Sequence, residues 1–248
     1  MKSVCRVAVE LIKSTRGQRS TSARGEMRGE LETKVLRLPP TSTGPRVLQD
    51  DRADGAEILS CTARALKEGH VVGVPTDTIY GLACLAQNSE AVRKTYDVKG
   101  RNGHKPLAIC VGEIQDIYKY CKVKVEEGLL GDLLPGPVTL VFERAEVLNA
   151  DLNPFTSVMS VNHRGRTCKR TPVEFEELWP QLAVVVDGGP IGDHSRLGST
   201  VVDLSVLGKY RVIRPGCALV STVDVLQRKY GLSEDSGGAE GGGGGGGR

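Results

Sequence analysis

The chain has 248 residues, 39% hydrophobic and 25% charged, which is the balance of an ordinary globular domain rather than of a fibrous or wholly disordered protein. A net charge of +3, from 33 Lys+Arg and 30 Asp+Glu, gives no global field for nucleic acid, so any anion site must be a local cluster. Seven cysteines without a C-x-x-C pair exclude a disulfide framework and a cysteine zinc site and imply a reducing compartment, and no apolar run nears the roughly 20 residues that cross a bilayer.

Residues 1–50 read apart from the rest. Met1 to Arg24 carries Lys2, Arg6, Lys13, Arg16, Arg19 and Arg24 against the single acid Glu10, with Val4, Val7 and Leu11 at helical spacing. That is the composition of a mitochondrial presequence and equally of a disordered basic tail, which gives a cytoplasmic protein with a second, mitochondrial address as one reading. Glu26 to Asp50 contains Pro39, Pro40 and Pro45 and reads as a linker. Residues 51–232 are expected to form one domain, and 233–248, acidic and then poly-Gly, a disordered tail.

Within 51–232 helix and strand signals alternate, which points to an α/β domain with a single twisted mixed sheet. Asp54 and Glu57 form a capping-box pair for a helix with Leu59, Ala63 and Leu66 on one face and Gly69 as its stop. Val71 to Val74 is too short for a helix and reads as a buried strand. Ser89 caps a helix through about Val98, and Leu107 to Val111 is a second buried strand. Short helices fit 113–121 and 126–134, followed by Pro135-Gly136-Pro137 and a strand from Val138 to Glu143. Thr171, Pro172 and Glu174 signal a further helix. Strands at 182–186, 200–204 and 210–213 and a helix from about Thr222 to Tyr230, stopped by Gly231, complete the pattern. Cys84, Cys110 and Cys217 read as small apolar core residues.

The chemistry concentrates between Val71 and Leu107. The strand at Val71 runs into Pro75-Thr76-Asp77-Thr78-Ile79-Tyr80-Gly81, a hydroxyl-rich turn at a strand end, where open α/β sheets place ligands. Lys99, Arg101 and Lys105 then surround Gly100 and Gly103, the outline of a phosphate site; only Asp97 opposes the five cations from Arg93 to Lys105. The four histidines, His70, His104, His163 and His194, read as surface residues.

The segments PTDTIYGLA, KGRNGHKPL, LLPGPVTLV, RLGSTVVDLS and VIRPG, in this order over about Asp54 to Leu232, resemble the YrdC domain family of threonylcarbamoyl-adenylate synthases. The resemblance implies a YrdC-like open α/β fold with a concave cationic cleft. It also implies condensation of L-threonine, bicarbonate and ATP into threonylcarbamoyl-adenylate and pyrophosphate, for the N6-threonylcarbamoyladenosine modification of tRNA. Lys99 and Arg101 would then be the catalytic, phosphate-holding cations, and Thr76 and Tyr80 the threonine contacts. Thr139, Ser199, Thr200 and Arg214 would join Lys99 and Arg101 around the nucleotide. Mg2+ is expected with the triphosphate, although no carboxylate cluster marks a protein metal site. The implied partners are tRNA or double-stranded RNA and a downstream threonylcarbamoyl transferase complex.

One stretch departs from the family. After LNPFT the family continues with a V-G-I-R-I-P strand, a helix and a strand ending in T-S-A-N, whereas this chain runs into SVMSVNHRGRTCKRTPVEFEELWPQL. The expected consequence is loss of a core strand and of about half of the active-site wall. His163, Arg164, Arg166, Lys169 and Arg170 within the replacement form a basic run that could substitute for the lost arginine or contact RNA phosphates, but it lacks aromatic residues for stacking and reads first as a solvated loop. The alternative to the enzyme is therefore an impaired YrdC-like domain that binds RNA or nucleotide without turnover.

Overall fold

The computed structural model describes residues 6–11, 32–38, 55–76, 80–100, 107–154, 158–163, 172–189 and 197–235. In chain order these form β1 (Arg6–Leu11), β2 (Lys34–Arg37), α1 (Gly55–Lys67), β3 (Val72–Pro75), β4 (Tyr80–Leu85), α2 (Ser89–Val98) and β5 (Ala108–Val111). There follow α3 (Gln115–Tyr120), β6 (Cys121–Lys122), α4 (Glu127–Leu133), β7 (Val138–Arg144), β8 (Val158–His163) and β9 (Val184–Asp187). The chain ends with β10 (Thr200–Asp203), β11 (Lys209–Arg214), α5 (Leu219–Asp224) and β12 (Ser233–Glu234).

The sheet is mixed, in the order β12-β11-β10-β7-β8-β5-β1-β4-β3-β9-β2, with β6 paired to β7. Strand alternation divides the interior between its two faces. Tyr80, Leu82 and Cys84 of β4 join the large cluster with Ile109, Leu130, Leu140, Phe142 and Leu226. Ala83 faces the other way, into a smaller cluster with Ile58 and Leu66 of α1, Val72 of β3 and Val184 and Val186 of β9. Helix α1 thus covers one face of the β3–β4–β9 region.

Several sequence expectations shift in detail. Helix α1 buries Ile58, Thr62, Ala65 and Leu66, while Leu59 is 57% exposed, so the apolar face is one residue out of the expected phase. The polar Thr62 can occupy the buried face because its hydroxyl donates to the Ile58 carbonyl at 2.7 Å. The cap of α2 is Asn88 rather than Ser89; the Asn88 side chain accepts from the Ala91 amide at 3.0 Å. The helix signalled at Thr171 is a 3-10 segment, Pro172–Gln181, interrupted at Phe175 (φ −135, ψ 29) and holding Pro180, which cannot donate to a helical ladder. Cys84 is buried, as expected, but Cys110 is half-buried and Cys217 exposed.

Larger differences concern strands. Tyr80–Leu85, whose first two residues fall in the expected turn and whose remainder the sequence left unassigned, is a buried strand paired with β1 and β3. The stretch after LNPFT does not leave the sheet short there: β8 pairs with β5 in parallel and with β7 antiparallel. Arg6–Leu11, where the spacing suggested a helix, is a strand between β4 and β5, and the linker region supplies β2, paired in parallel with β9. Beyond residue 232, Ser233–Glu234 pairs with β11. The basic run after His163 and the poly-Gly stretch lie outside the described residues.

Candidate active site

The expected site residues fall into two groups at strand ends. The first surrounds the end of β3. Pro75 and Tyr80 are partners in the β3–β4 ladder, and Thr76, half-buried, follows directly. The Tyr80 hydroxyl donates to the Gly189 carbonyl and accepts from the Gly188 amide, both at 2.9 Å. The Asp187 carboxylate accepts from the Gly189 amide at 2.9 Å, and Gly189 takes φ +74, where a side chain is disfavoured. Gly188 packs on the Pro75 ring so closely that a Cβ would stand 3.1 Å from it. The buried Tyr80 ring stacks tilted on Phe175, centroids 5.6 Å apart.

This arrangement fixes the state of Tyr80. Burial pushes its hydroxyl up to about 12, the Gly188 amide opposes that shift, and the Asp187 charge adds to it. The side chain is a neutral phenol whose hydroxyl is engaged with backbone on both sides. It shapes the Asp187-Gly188-Gly189 turn beside Thr76.

The second group clasps β7 to β10. These strands run parallel, with Val201 opposite Thr139. Thr139 Oγ1 and Ser199 Oγ are 2.8 Å apart and buried. Arg214, at the end of β11, donates through Nη2 to the Ser199 carbonyl at 2.9 Å and to Ser199 Oγ at 3.1 Å. Thr200 Oγ1 accepts from the Ala218 amide at 3.2 Å, and the Cys217 amide donates to the Gly198 carbonyl at 3.1 Å. A Cβ on Gly216 would lie inside van der Waals contact with the backbone of Gly198, Ser199 and Thr200. Glycine there lets the Pro215-Gly216-Cys217 turn press onto the start of β10.

Lys99 caps the C-terminus of α2, its amide donating to the Tyr96 carbonyl at 3.2 Å, and Gly100 takes φ +60 to turn the chain. The Tyr96 hydroxyl donates to the Leu152 carbonyl at 3.0 Å, anchoring the helix that presents Lys99. Arg101 and Lys105 lie outside the described residues, as do Asp77, Thr78 and Ile79. The structure therefore brings Thr139, Ser199, Thr200 and Arg214 together, sets Thr76 with Tyr80, and keeps the groups apart by β1, β5 and β8. Sequence reading missed Asp187, Gly188, Gly189, Gly216 and Phe175. The Asp-Gly-Gly string after the apolar run Ala183 to Val186 is a turn signal that would have found the first three.

Among the described residues no three His, Cys, Asp or Glu side chains converge to hold a metal ion, and no helix is long and apolar enough to cross a membrane. Hydroxyls, glycine turns and a guanidinium gather at the strand ends of a mixed sheet, the position at which open α/β proteins as a class place their polar ligands. The Sua5/YciO/YrdC family model, described as telomere recombination, matches residues 64–162. A human protein named threonylcarbamoyl-AMP synthase is 49% identical over 227 residues, covering 80% of this chain and 81% of its own, and a Bos taurus protein of the same name is 48% identical over 232 residues, covering 82% and 83%. The chain belongs to the Sua5/YciO/YrdC family. The human match runs over more positions than the share of this chain that takes part, so that relative carries residues with no counterpart here.

Solved structures agree in fold. Pyrococcus abyssi Sua5, crystallised with L-threonine, superposes with a TM-score of 0.64 at 22% identity, over 82% of this chain and 62% of that one. This chain thus spans less than two thirds of that Sua5. The solution structure of the MTH1692 protein from Methanobacterium thermoautotrophicum gives a TM-score of 0.52 at 27% identity, over 71% of this chain and 93% of that one.

Proposed function

We propose that this chain is an L-threonylcarbamoyladenylate synthase, a nucleotidyltransferase acting in tRNA modification. The reading is carried by its 49% identity, over four fifths of both chains, to a protein named for that product. In the reaction the threonine amine and bicarbonate form a carbamate with loss of water. A carbamate oxygen attacks the α-phosphate of ATP, the bond to the β-phosphate bridge oxygen breaks, and pyrophosphate leaves. Such a step needs oriented donors and cations more than a covalent nucleophile, and that is the chemistry of the residues present.

In this reading Thr139, Ser199, Thr200 and Arg214 line the nucleotide, with the Thr139 hydroxyl fixing that of Ser199 and the Thr200 hydroxyl fixing the Ala218 amide, and Lys99 with Arg101 stabilises the leaving pyrophosphate. Thr76 contacts threonine beside the turn that Tyr80 fixes. Mg2+ arrives on the triphosphate, since the described site residues offer hydroxyls and cations but no carboxylate cluster. We place the product's use in a downstream threonylcarbamoyl transferase complex acting on tRNA, with the protein cytoplasmic and, by its N-terminal composition, also addressed to mitochondria.

A second reading, nucleotide or RNA binding without turnover, is favoured by one observation: the residues of the human relative that have no counterpart in this chain. Pyrophosphate release separates the two. A synthase requires both threonine and bicarbonate for release and loses it in Lys99→Ala and Arg101→Ala; release that ignores either substrate, or survives both substitutions, overturns the synthase reading.

A further inference from the structure

Asp187 ends β9, and the two glycines after it form the turn beside Thr76. Strand β9 runs parallel to both of its neighbours, with Val184 and Val185 opposite Val72 and Gly73 of β3 and Asp187 opposite Arg37 of β2. That register carries Asp187 level with Pro75. Gly188 is caught between the Pro75 ring and Leu38: a Cβ there would stand 3.1 Å from the first and 3.6 Å from the second. The Leu38 amide donates to the Asp187 carbonyl at 2.8 Å, and the Tyr80 hydroxyl bridges the Gly188 amide and the Gly189 carbonyl. The last tie is made by a side chain of the turn itself, Asp187 Oδ1, which accepts from the Gly189 amide at 2.9 Å.

Two successive glycines have little conformational preference of their own, so the path of the chain at Gly189, with φ +74, is set by these outside contacts. Asp187 supplies one of them through a bond that spans two residues, a geometry that Asp and Asn side chains reach and Ala cannot. Its other oxygen, Oδ2, faces Arg37 Nε at 3.4 Å, but the Arg37 side chain is 79% exposed, so solvent screens that pair and it holds the turn only weakly. With one oxygen on the Gly189 amide and the other toward Arg37, Asp187 supports the turn and is not placed to carry a proton for the reaction. Its charge also helps to keep Tyr80 a neutral phenol, the form that donates to Gly189.

We infer that Asp187 is a positioning residue for threonine: by fixing the Gly189 amide, its side-chain oxygen holds the Gly188–Gly189 turn where it walls the amino-acid end of the site beside Thr76. The inference rests on the synthase reading. The Thr139–Ser199–Arg214 group stands across β8, β5 and β1 from this turn, so loss of Asp187 should be felt by threonine and not by ATP.

Amide exchange in the ligand-free intact chain tests the support directly. Asp187→Ala should speed exchange of the Gly189 amide by about tenfold or more, whereas Asp187→Asn, whose side-chain oxygen can accept the same bond, should stay within about threefold of the unaltered chain. Equal protection of Gly189 in Asp187→Ala and the unaltered chain overturns the proposal. Steady-state pyrophosphate release then tests the role. In Asp187→Ala the KM for threonine should rise about tenfold, with the KM for ATP and kcat within about threefold; Asp187→Asn should restore the threonine KM, and Arg37→Gln should leave it within about twofold. A merely structural defect lowers kcat through loss of folded enzyme and spares both KM values; that pattern, or an equal rise in both, overturns the proposal. If Asp187→Ala does not fold, Asp187→Ser, whose hydroxyl makes the same kind of turn more weakly, should raise the threonine KM about threefold or more with ATP unmoved, and an unmoved threonine KM overturns it. Absence of threonine-dependent release from the unaltered chain overturns the synthase reading and this role together, whereas release with an unmoved threonine KM in Asp187→Ala overturns the role alone.

Discussion

Thr139 and Ser199, sixty positions apart in sequence, share a buried hydrogen bond of 2.8 Å between their side-chain oxygens, and Arg214 closes the group by donating to both oxygens of Ser199. Thr139→Val keeps the shape of the β-branched side chain and removes the polar partner. The expected cost is about 1–2 kcal/mol of stability, with weaker ATP binding because Ser199 and Arg214 lose their fixed geometry. Denaturant unfolding and calorimetry with ATP measure the two effects; an unchanged affinity would show that the cluster is structural only.

Tyr80→Phe removes both hydrogen bonds to the Gly188–Gly189 turn while keeping the ring on Phe175. We expect a loss of about 1–3 kcal/mol, since a buried amide and carbonyl lose a partner, and a raised KM for threonine. The pH dependence has a definite sign. The folded-state value of about 12 lies above the ordinary 10.0, so the contribution of Tyr80 is complete below about pH 10 and is lost as pH rises through 12. That portion of the alkaline slope should be missing in Tyr80→Phe, which unfolding midpoints measured from pH 9 to 12 would reveal.

Much of this was legible beforehand. The Val72–Pro75, Ala108–Val111 and Val138–Arg144 strands stand out as apolar runs bounded by Gly or Pro, and the Thr200 and Arg214 segments were recognisable from RLGSTVVDLS and VIRPG. Tyr80–Leu85 was hidden because a strand buried on both faces shows no alternation, and its Gly81 and the preceding hydroxyls signal a turn. Arg6–Leu11 was hidden for the opposite reason: its valines and leucine fit a helical period as well as a strand's, and only long-range pairing with β4 and β5 decides between them. Nor could spacing reveal that Tyr80 spends its hydroxyl on Gly188 and Gly189, more than a hundred residues away.

Gly216 offers a steric test. Gly216→Ala places a methyl against the backbone of Gly198, Ser199 and Thr200, which cannot swing aside as a flexible side chain could. Destabilisation of about 1–3 kcal/mol is expected, with loss of nucleotide affinity. Gly131, exposed in α4 with open space around its Cβ position, is the control; Gly131→Ala should be neutral or stabilising by up to about 1 kcal/mol. Thermal melts of the two variants side by side settle the comparison.

Thiol reactivity should follow burial. Burial pushes Cys84 up to about 11, with a Thr95 hydrogen bond opposing it, and Cys121 up to about 12, while Cys217 is exposed. Among the described cysteines, at pH 8 iodoacetamide should label Cys217 first and reach Cys84 and Cys121 only when the chain unfolds. Peptide mapping of a labelling time course checks the order; early modification of Cys84 would contradict the packing of β4.

The most direct measurement is the fate of isotopically labelled bicarbonate incubated with the intact chain, ATP and L-threonine, followed by rapid chromatography and mass spectrometry. The account predicts label in a threonylcarbamoyl-adenylate, formed in equal amount with pyrophosphate and absent when any one substrate is omitted. Recovery of unlabelled ATP and no adenylate, from protein that demonstrably binds ATP, would contradict it.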